Sequence, residues 1–170
     1  NWRSIEPKES EYHWNEMDDV VDWACQQGMP VSIGPVVELD QDRLPIWLSD
    51  WSGDLPSLAA FSCDFIEMFI SRYRARGFTQ WELFHGFNQS DRLGLSEDDC
   101  LRLAARLLDS ARQTYAEGNW SIGIVEPWGE YLLSEDHTYS PYIFSDTLLR
   151  AGYRISSINL DLRPIMHNGR

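Results

Sequence analysis

The sequence predicts an α/β fold assembled from parallel strand–helix units. Two observations carry that prediction. Helical and strand patterns alternate along the whole chain, the order that produces a parallel sheet with crossover helices. At 170 residues the chain is also one domain by length, large enough for a single buried core. Alternation alone fits either an open doubly wound sheet or part of a (β/α) barrel. No glycine-rich phosphate loop follows any strand, which argues against the dinucleotide-binding version of the open sheet.

Residues 15–27 read as a helix, with Met17, Val20, Val21 and Ala24 on one face and Gly28 as its stop. The β-branched run 31–37 follows as a buried strand that contains Gly34-Pro35 and leads to Glu38 and Asp40. Residues 55–76 form a long amphipathic helix, capped near Asp54 or Ser57 and ended by Gly77. The strand 80–84 comes next. Ser96, with Asp99 three residues on, caps a helix running to about Ala116 in a capping-box-like arrangement. A strand at 121–125, a short helix at 145–151 closed by Gly152, and a strand at 155–162 complete the series. No internal repeat, low-complexity tract or linker interrupts it.

The formal charge is −13, from 14 basic and 27 acidic residues. Such a surface repels phosphate backbones, and the arginines fall among carboxylates on predicted helices, so nucleic acid is not an expected partner. No apolar run approaches the ~20 residues of a membrane span, so no membrane partner is expected either. Cys25, Cys63 and Cys100 lie far apart in predicted helices; they read as buried free thiols without metal spacing. No metal or cofactor is expected. Asn1 is not an initiator methionine and no signal segment is evident, so the compartment stays open. Eight tryptophans and seven tyrosines exceed what a core of this size needs, and aromatic faces suit the apolar faces of sugar rings.

Several local patterns point to one family. Trp2-Arg3-Ser4-Ile5-Glu6-Pro7, followed by Tyr12-His13-Trp14 and Asp18, resembles the family 10 glycoside hydrolases, whose best-known members are endo-xylanases. There a Lys-Trp pair precedes Glu-Pro, a Gly, an aromatic pair and an Asp. Here the lysine position is Asn1 and the glycine position Ser10. The stretch from Gly34 to Leu44-Pro45-Ile46-Trp47 is similar to the family's third strand and its Leu-Pro-x-Trp continuation. Trp81-Glu82-Leu83-Phe84 is similar to the fourth strand, which in the family reads Trp-Asp-Val-Val-Asn-Glu. Residues 125–131 sit where the fifth would end, and 155–160 look like the sixth.

The resemblance implies a (β/α)8 TIM-barrel type represented by about four βα units. Residues 1–170 would be one domain running from just after the second strand to just after the sixth. An eight-stranded barrel takes ~250 residues, so the chain is expected to be part of a longer protein. If 170 residues were the whole gene product, self-association would be needed. The resemblance further implies carbohydrate as partner, a β-linked polysaccharide or oligosaccharide.

The family's acid is the Glu of Asn-Glu; the matching positions here are His85 and Gly86, and glycine donates no proton. Glu82 precedes the strand end and by alternation shares a face with Phe84, which reads as a structural role. Barrel sites gather at the carboxyl ends of strands, which nominates other groups. Glu126 directly follows a strand and precedes Pro127-Trp128-Gly129, a turn that sets an aromatic beside a carboxylate. Glu126 and Glu38 are the catalytic candidates. His85, Asn88, Trp47, Trp128, Glu130 and Asp161 are the candidates for contacting sugar. Three readings stay open: a hydrolase with a relocated acid, a glycan-binding barrel without catalysis, and an α/β protein of other function.

Overall fold

The computed structural model describes residues 1–40, 42–89, 93–128 and 139–162. A short helix α1 (Trp2–Ile5) and helix α2 (Asn15–Gln26) precede the sheet. Two short strands, β1 (Ser32–Ile33) and β2 (Val37–Glu38), are followed by a 3-10 turn (Ile46–Trp51) and the long helix α3 (Leu55–Tyr73). Then come β3 (Gln80–His85), α4 (Glu97–Thr114), β4 (Asn119–Ile124), α5 (Pro141–Arg150) and β5 (Ser157–Leu160).

Among the described residues, every pairing between these strands is parallel. β1 and β2 both pair with β3, then β3 with β4 and β4 with β5. β1 and β2 are therefore two halves of one predicted strand, broken at Gly34-Pro35. The break has a steric cause: a Cβ on Gly34 would lie 2.2 Å from the Glu82 carbonyl oxygen. Only a glycine lets the first strand run that close to β3.

Strand order follows chain order with no reversal, and this decides between the two predicted architectures. A doubly wound sheet needs a switch point where the order reverses. With right-handed crossovers and no reversal, α3, α4 and α5 fall on one face of the sheet; α3 packs on α4, and α4 on α5. The sheet is a stretch of barrel wall.

The helix-facing side holds the core. Phe65, Ile66, Phe69 and Ile70 of α3 and Leu103, Ala104, Leu107 and Leu108 of α4 are buried against it. Trp81 and Trp120 project from β3 and β4 into this layer, 6.0 Å apart by ring centroid, with Phe69 and Tyr115 edge-on to Trp81. These tryptophans serve packing.

The caps follow the sequence closely. Asp54 accepts from the Ser57 amide and Ser96 from the Asp99 amide, and Gly77 ends the 3-10 extension of α3 at φ +83°. Helix α5 differs from the prediction, starting at Pro141 rather than residue 145. Ser140 accepts from the Ile143 amide and Pro141 takes the first turn, where its missing N–H costs nothing. The N-terminal motif is a structural brace. Glu6 is buried and accepts hydrogen bonds from the Trp2 indole (2.7 Å) and the Ser10 amide (2.9 Å), while Trp2 stacks on Phe65 at 4.7 Å. The expectation of buried thiols holds only for Cys100; Cys63 is half-buried and Cys25 exposed, because Cys25 lies on the outer side of α2.

Candidate active-site region at the carboxyl ends of the strands

The side of the sheet away from the helices gathers the polar residues. Their assembly depends on an irregularity in β3. Glu82 pairs with Ser121, but Phe84 pairs with Ile122 and His85 with Gly123, so Leu83 is the extra residue of a β-bulge. Residues three apart on a regular strand point to opposite faces. The bulge cancels that, and the Glu82 carboxylate lies 2.8 Å (Oε1) from His85 Nδ1. Strict alternation placed Glu82 with Phe84; the bulge instead turns it to the His85 side.

β4 and β5 complete the cluster. Asn159 Nδ2 donates to Glu82 Oε2 at 2.7 Å, and Asp161 Oδ2 stands 3.7 Å from His85 Nε2. Opposite His85, β4 carries Gly123, where a Cβ would sit 2.0 Å from Nδ1 and 2.4 Å from Glu82 Oε1. The Glu82–His85 pair occupies the volume that this missing side chain leaves. Both side chains are largely buried, 16% and 15% exposed, which shields the pair from solvent screening.

The hydrogen bond that His85 donates to Glu82 raises its pKa above the ordinary 6.5; burial opposes this, and the charges of Glu82, Glu38 and Asp161 add to the rise. An imidazolium here donates from Nδ1 to Glu82 and directs Nε2–H towards Asp161. Nε2 is buried and has no hydrogen-bond partner among the described residues. The arrangement is a cation ringed by carboxylates, able to hold a proton or to donate one hydrogen bond.

The remaining candidates fall in distinct places. Glu38 ends β2, is mostly buried, and lies 3.8 Å from the Arg43 guanidinium. Asn88 spans the Val125 backbone: Nδ2 donates to the carbonyl at 2.8 Å and Oδ1 accepts from the amide at 3.1 Å. It thereby fixes the chain just before Glu126, which adopts the left-handed region at φ +49°. Trp128 is 65% exposed beside that turn. Trp47 is committed to the core edge, donating to the Glu6 carbonyl at 3.1 Å and meeting Trp2 and Phe61 edge-on. Glu130 lies outside the described residues. Thus His85 and Asp161 share one cluster, Glu38 reaches it electrostatically, and Trp47 stands apart. Sequence reasoning missed Asn159, since a neutral residue in a short strand gives no signal of its own.

Gly86 departs from a simple loss of a side chain. Its φ is +78° and its amide donates to the Gly123 carbonyl at 3.0 Å, so the chain leaves the sheet at this point. A Cβ would meet nothing closer than 3.5 Å. The space is open, but the backbone favours glycine. Among the described residues, no group of three or more His, Cys, Asp or Glu is placed to hold a metal ion, and no helix is long and apolar enough to cross a membrane.

No protein-family model matches the sequence, and no curated protein matches it. Solved structures do. Xylanase 10C from Cellvibrio japonicus, in complex with xylopentaose, superposes with a TM-score of 0.75 at 13% identity, covering 93% of this chain and 32% of that one. The fold is part of a (β/α) barrel similar to those of family 10 glycoside hydrolases. A Thermobacillus composti family 10 xylanase gives 0.71 at 15% identity, with 94% and 46% covered. The family 10 structure from Paenibacillus barcinonensis gives 0.72 at 17%, with 94% and 50% covered. The chain spans about a third to a half of the length of these family 10 proteins. At such identities the likeness establishes the (β/α) barrel architecture that the alternation and motifs pointed to.

Proposed function

We propose that this barrel wall binds a β-linked polysaccharide at the carboxyl ends of its strands, as part of a glycoside hydrolase-like protein. The observation that carries the reading is the buried Glu82–His85–Asn159 network with Asp161 and Glu38 around it. Polar groups concentrated on the inner side of barrel strands suit sugar hydroxyls, each of which both donates and accepts. Exposed Trp128 supplies an aromatic face beside this region, and the similar xylanase 10C was solved with a xylan fragment.

Binding is preferred to cleavage because of Gly86. Retaining glycosidases need two carboxyls about 5–5.5 Å apart, and the position matching the acid has neither a carboxyl nor an extended backbone. Hydrolysis with a relocated acid is the second reading, favoured by Glu126 at the end of β4 and Glu38 at the end of β2.

Titration with xylohexaose, followed by tryptophan fluorescence and calorimetry, tests the binding. A saturable response without release of reducing sugar from xylan or β-glucan is the expected result. No response to any β-linked oligosaccharide would sink the proposal. Sugar release that disappears in Glu126→Gln or Glu38→Gln would establish the second reading in its place.

A further inference from the structure

The opposite ends of the strands hold a polar cavity of about 230 Å3. Arg112, Arg154, Asn119 and Ser156 line it, together with one carboxylate, that of Glu117. Arg112 comes from the last turn of α4, and Arg154 from the link between α5 and β5. Several other arginines of this acid-rich chain are neutralised, as Arg72 by Asp18, Arg76 by Asp22, Arg102 by Asp99 and Arg150 by Asp146. Among the described residues, neither Arg112 nor Arg154 has an ion pair or a side-chain hydrogen bond. Two uncompensated guanidiniums therefore face one cavity in a protein of charge −13.

A second observation points to the same place. Trp120 is 2% exposed, and its indole Nε1 is buried with no hydrogen-bond partner. Buried indole N–H groups ordinarily find an acceptor. The ring lies against Gly118, which lines the cavity; a Cβ there would be 2.9 Å from Cε2, the atom bonded to Nε1. The indole thus lies directly behind the cavity wall at Gly118, with its N–H covered in this conformation.

We propose that this cavity is a binding site for a phosphoryl group, free or as the monoester of a small molecule. The guanidinium fork matches tetrahedral oxyanions in bidentate fashion. The side-chain amide of Asn119 adds a neutral donor, while the Ser156 hydroxyl already donates to the Trp120 carbonyl at 2.8 Å. The volume falls below the ~300 Å3 at which drug-sized ligand sites begin, so the group bound is small or only its phosphoryl end enters. The site lies across the sheet from the glycan region and does not rest on it: failure of either reading leaves the other standing.

The test titrates the protein with inorganic phosphate and with glucose 6-phosphate at constant ionic strength, using chloride as control. Melting temperature and the Trp120 indole N–H resonance are read together. The expected result is a rise of about 3 °C or more at saturation, with a shifted indole peak. Both responses should disappear in the Arg112→Gln/Arg154→Gln double variant. A larger response to phosphate identifies the free ion as ligand, and a larger response to glucose 6-phosphate identifies the monoester. An indole peak that moves for neither probe, an equal effect of chloride, or an undiminished response in the double variant would overturn the proposal. The indole readout on the unmodified protein keeps the test decisive if the double variant fails to fold.

Discussion

The two ends of this parallel sheet have opposite electrical character. At the carboxyl ends, Glu38, Glu82 and Asp161 surround the single imidazole of His85. At the amino ends, Arg112 and Arg154 flank a cavity. Part of this polarity is generic to βα units. Every helix after a strand starts near the carboxyl ends, where its dipole favours acids, and finishes near the amino ends, where it favours bases. Helix α4 obeys fully, with Glu97, Asp98 and Asp99 in its first turn and Arg112 in its last. What the dipole does not explain is the pattern of partners. Each end keeps one buried polar atom without a hydrogen-bond partner among the described residues, His85 Nε2 and Trp120 Nε1, but the carboxyl-end cluster pairs its charges through Glu82 and His85, whereas Arg112 and Arg154 have no ion pair among the described residues. A charge-paired network reads as a preorganised surface; two unpaired guanidiniums beside one cavity read as a place for an anion.

Each end has a glycine that makes room for its key side chain, and adding a methyl group there should produce the largest effects. Gly123→Ala should lower stability by about 3 kcal/mol in urea denaturation, since the new Cβ overlaps both members of a largely buried ionic pair. Gly118→Ala should cost about 2 kcal/mol, because its Cβ would lie 2.5 Å from Cζ2 of a rigid indole. The first should move the His85 resonances and the second those of Trp120. If each variant disturbs both ends equally, the two sites are not independent.

Next in size is Gly86→Glu, which restores the residue type of the resembling family. It should cost about 1–2 kcal/mol for the left-handed backbone and still release no reducing sugar from xylan. Active hydrolysis by this variant would mean that only the side chain was missing.

The pH dependence isolates the carboxyl-end cluster. The folded His85 pKa lies above the unfolded value near 6.5. The stability from its charged form is therefore complete below about pH 6.5 and is lost as pH rises through the higher folded pKa. Melting temperature should fall across that window. In Glu82→Gln the His85 pKa should drop towards 6.5, moving the fall to lower pH, as an NMR titration of the imidazole would show. An unmoved titration would assign the shift to Glu38 and Asp161 instead.

The smallest effect on the fold belongs to Trp128→Ala, which should change stability by no more than about 0.5 kcal/mol because the ring is exposed. Its xylohexaose affinity should fall about tenfold, about 1.4 kcal/mol. Unchanged affinity would remove Trp128 from the glycan surface.

Much of the architecture was legible. The Ser96 cap, the Gly77 stop and the β-branched first strand are local signals, and local chemistry realises them. The start of α5 was not, because Ser140-Pro141 reads equally as a turn until tertiary packing selects the helix. The candidate site was legible in parts. His85 and Asp161 stood out as polar residues at strand ends, while Glu82 was turned to the wrong face, since a bulge is a property of pairing between β3 and β4. Asn88 carried no mark of its clamp on Val125, 37 positions away. Arg112 and Arg154 looked like ordinary surface charges, because a missing partner is visible only in three dimensions.

The sequence by itself determined the alternation of elements, their caps and stops, the acidic balance, and a glycine at the position matching the acid. Those properties are set within a few residues of backbone and side-chain chemistry. Tertiary structure alone decided that the sheet is barrel wall, because strand order is a fact about neighbours. It also decided which side chains meet: the bulge at Leu83 brought Glu82 to His85, and Gly123 gave them the room. Long-range pairing sets the register, and register sets the chemistry.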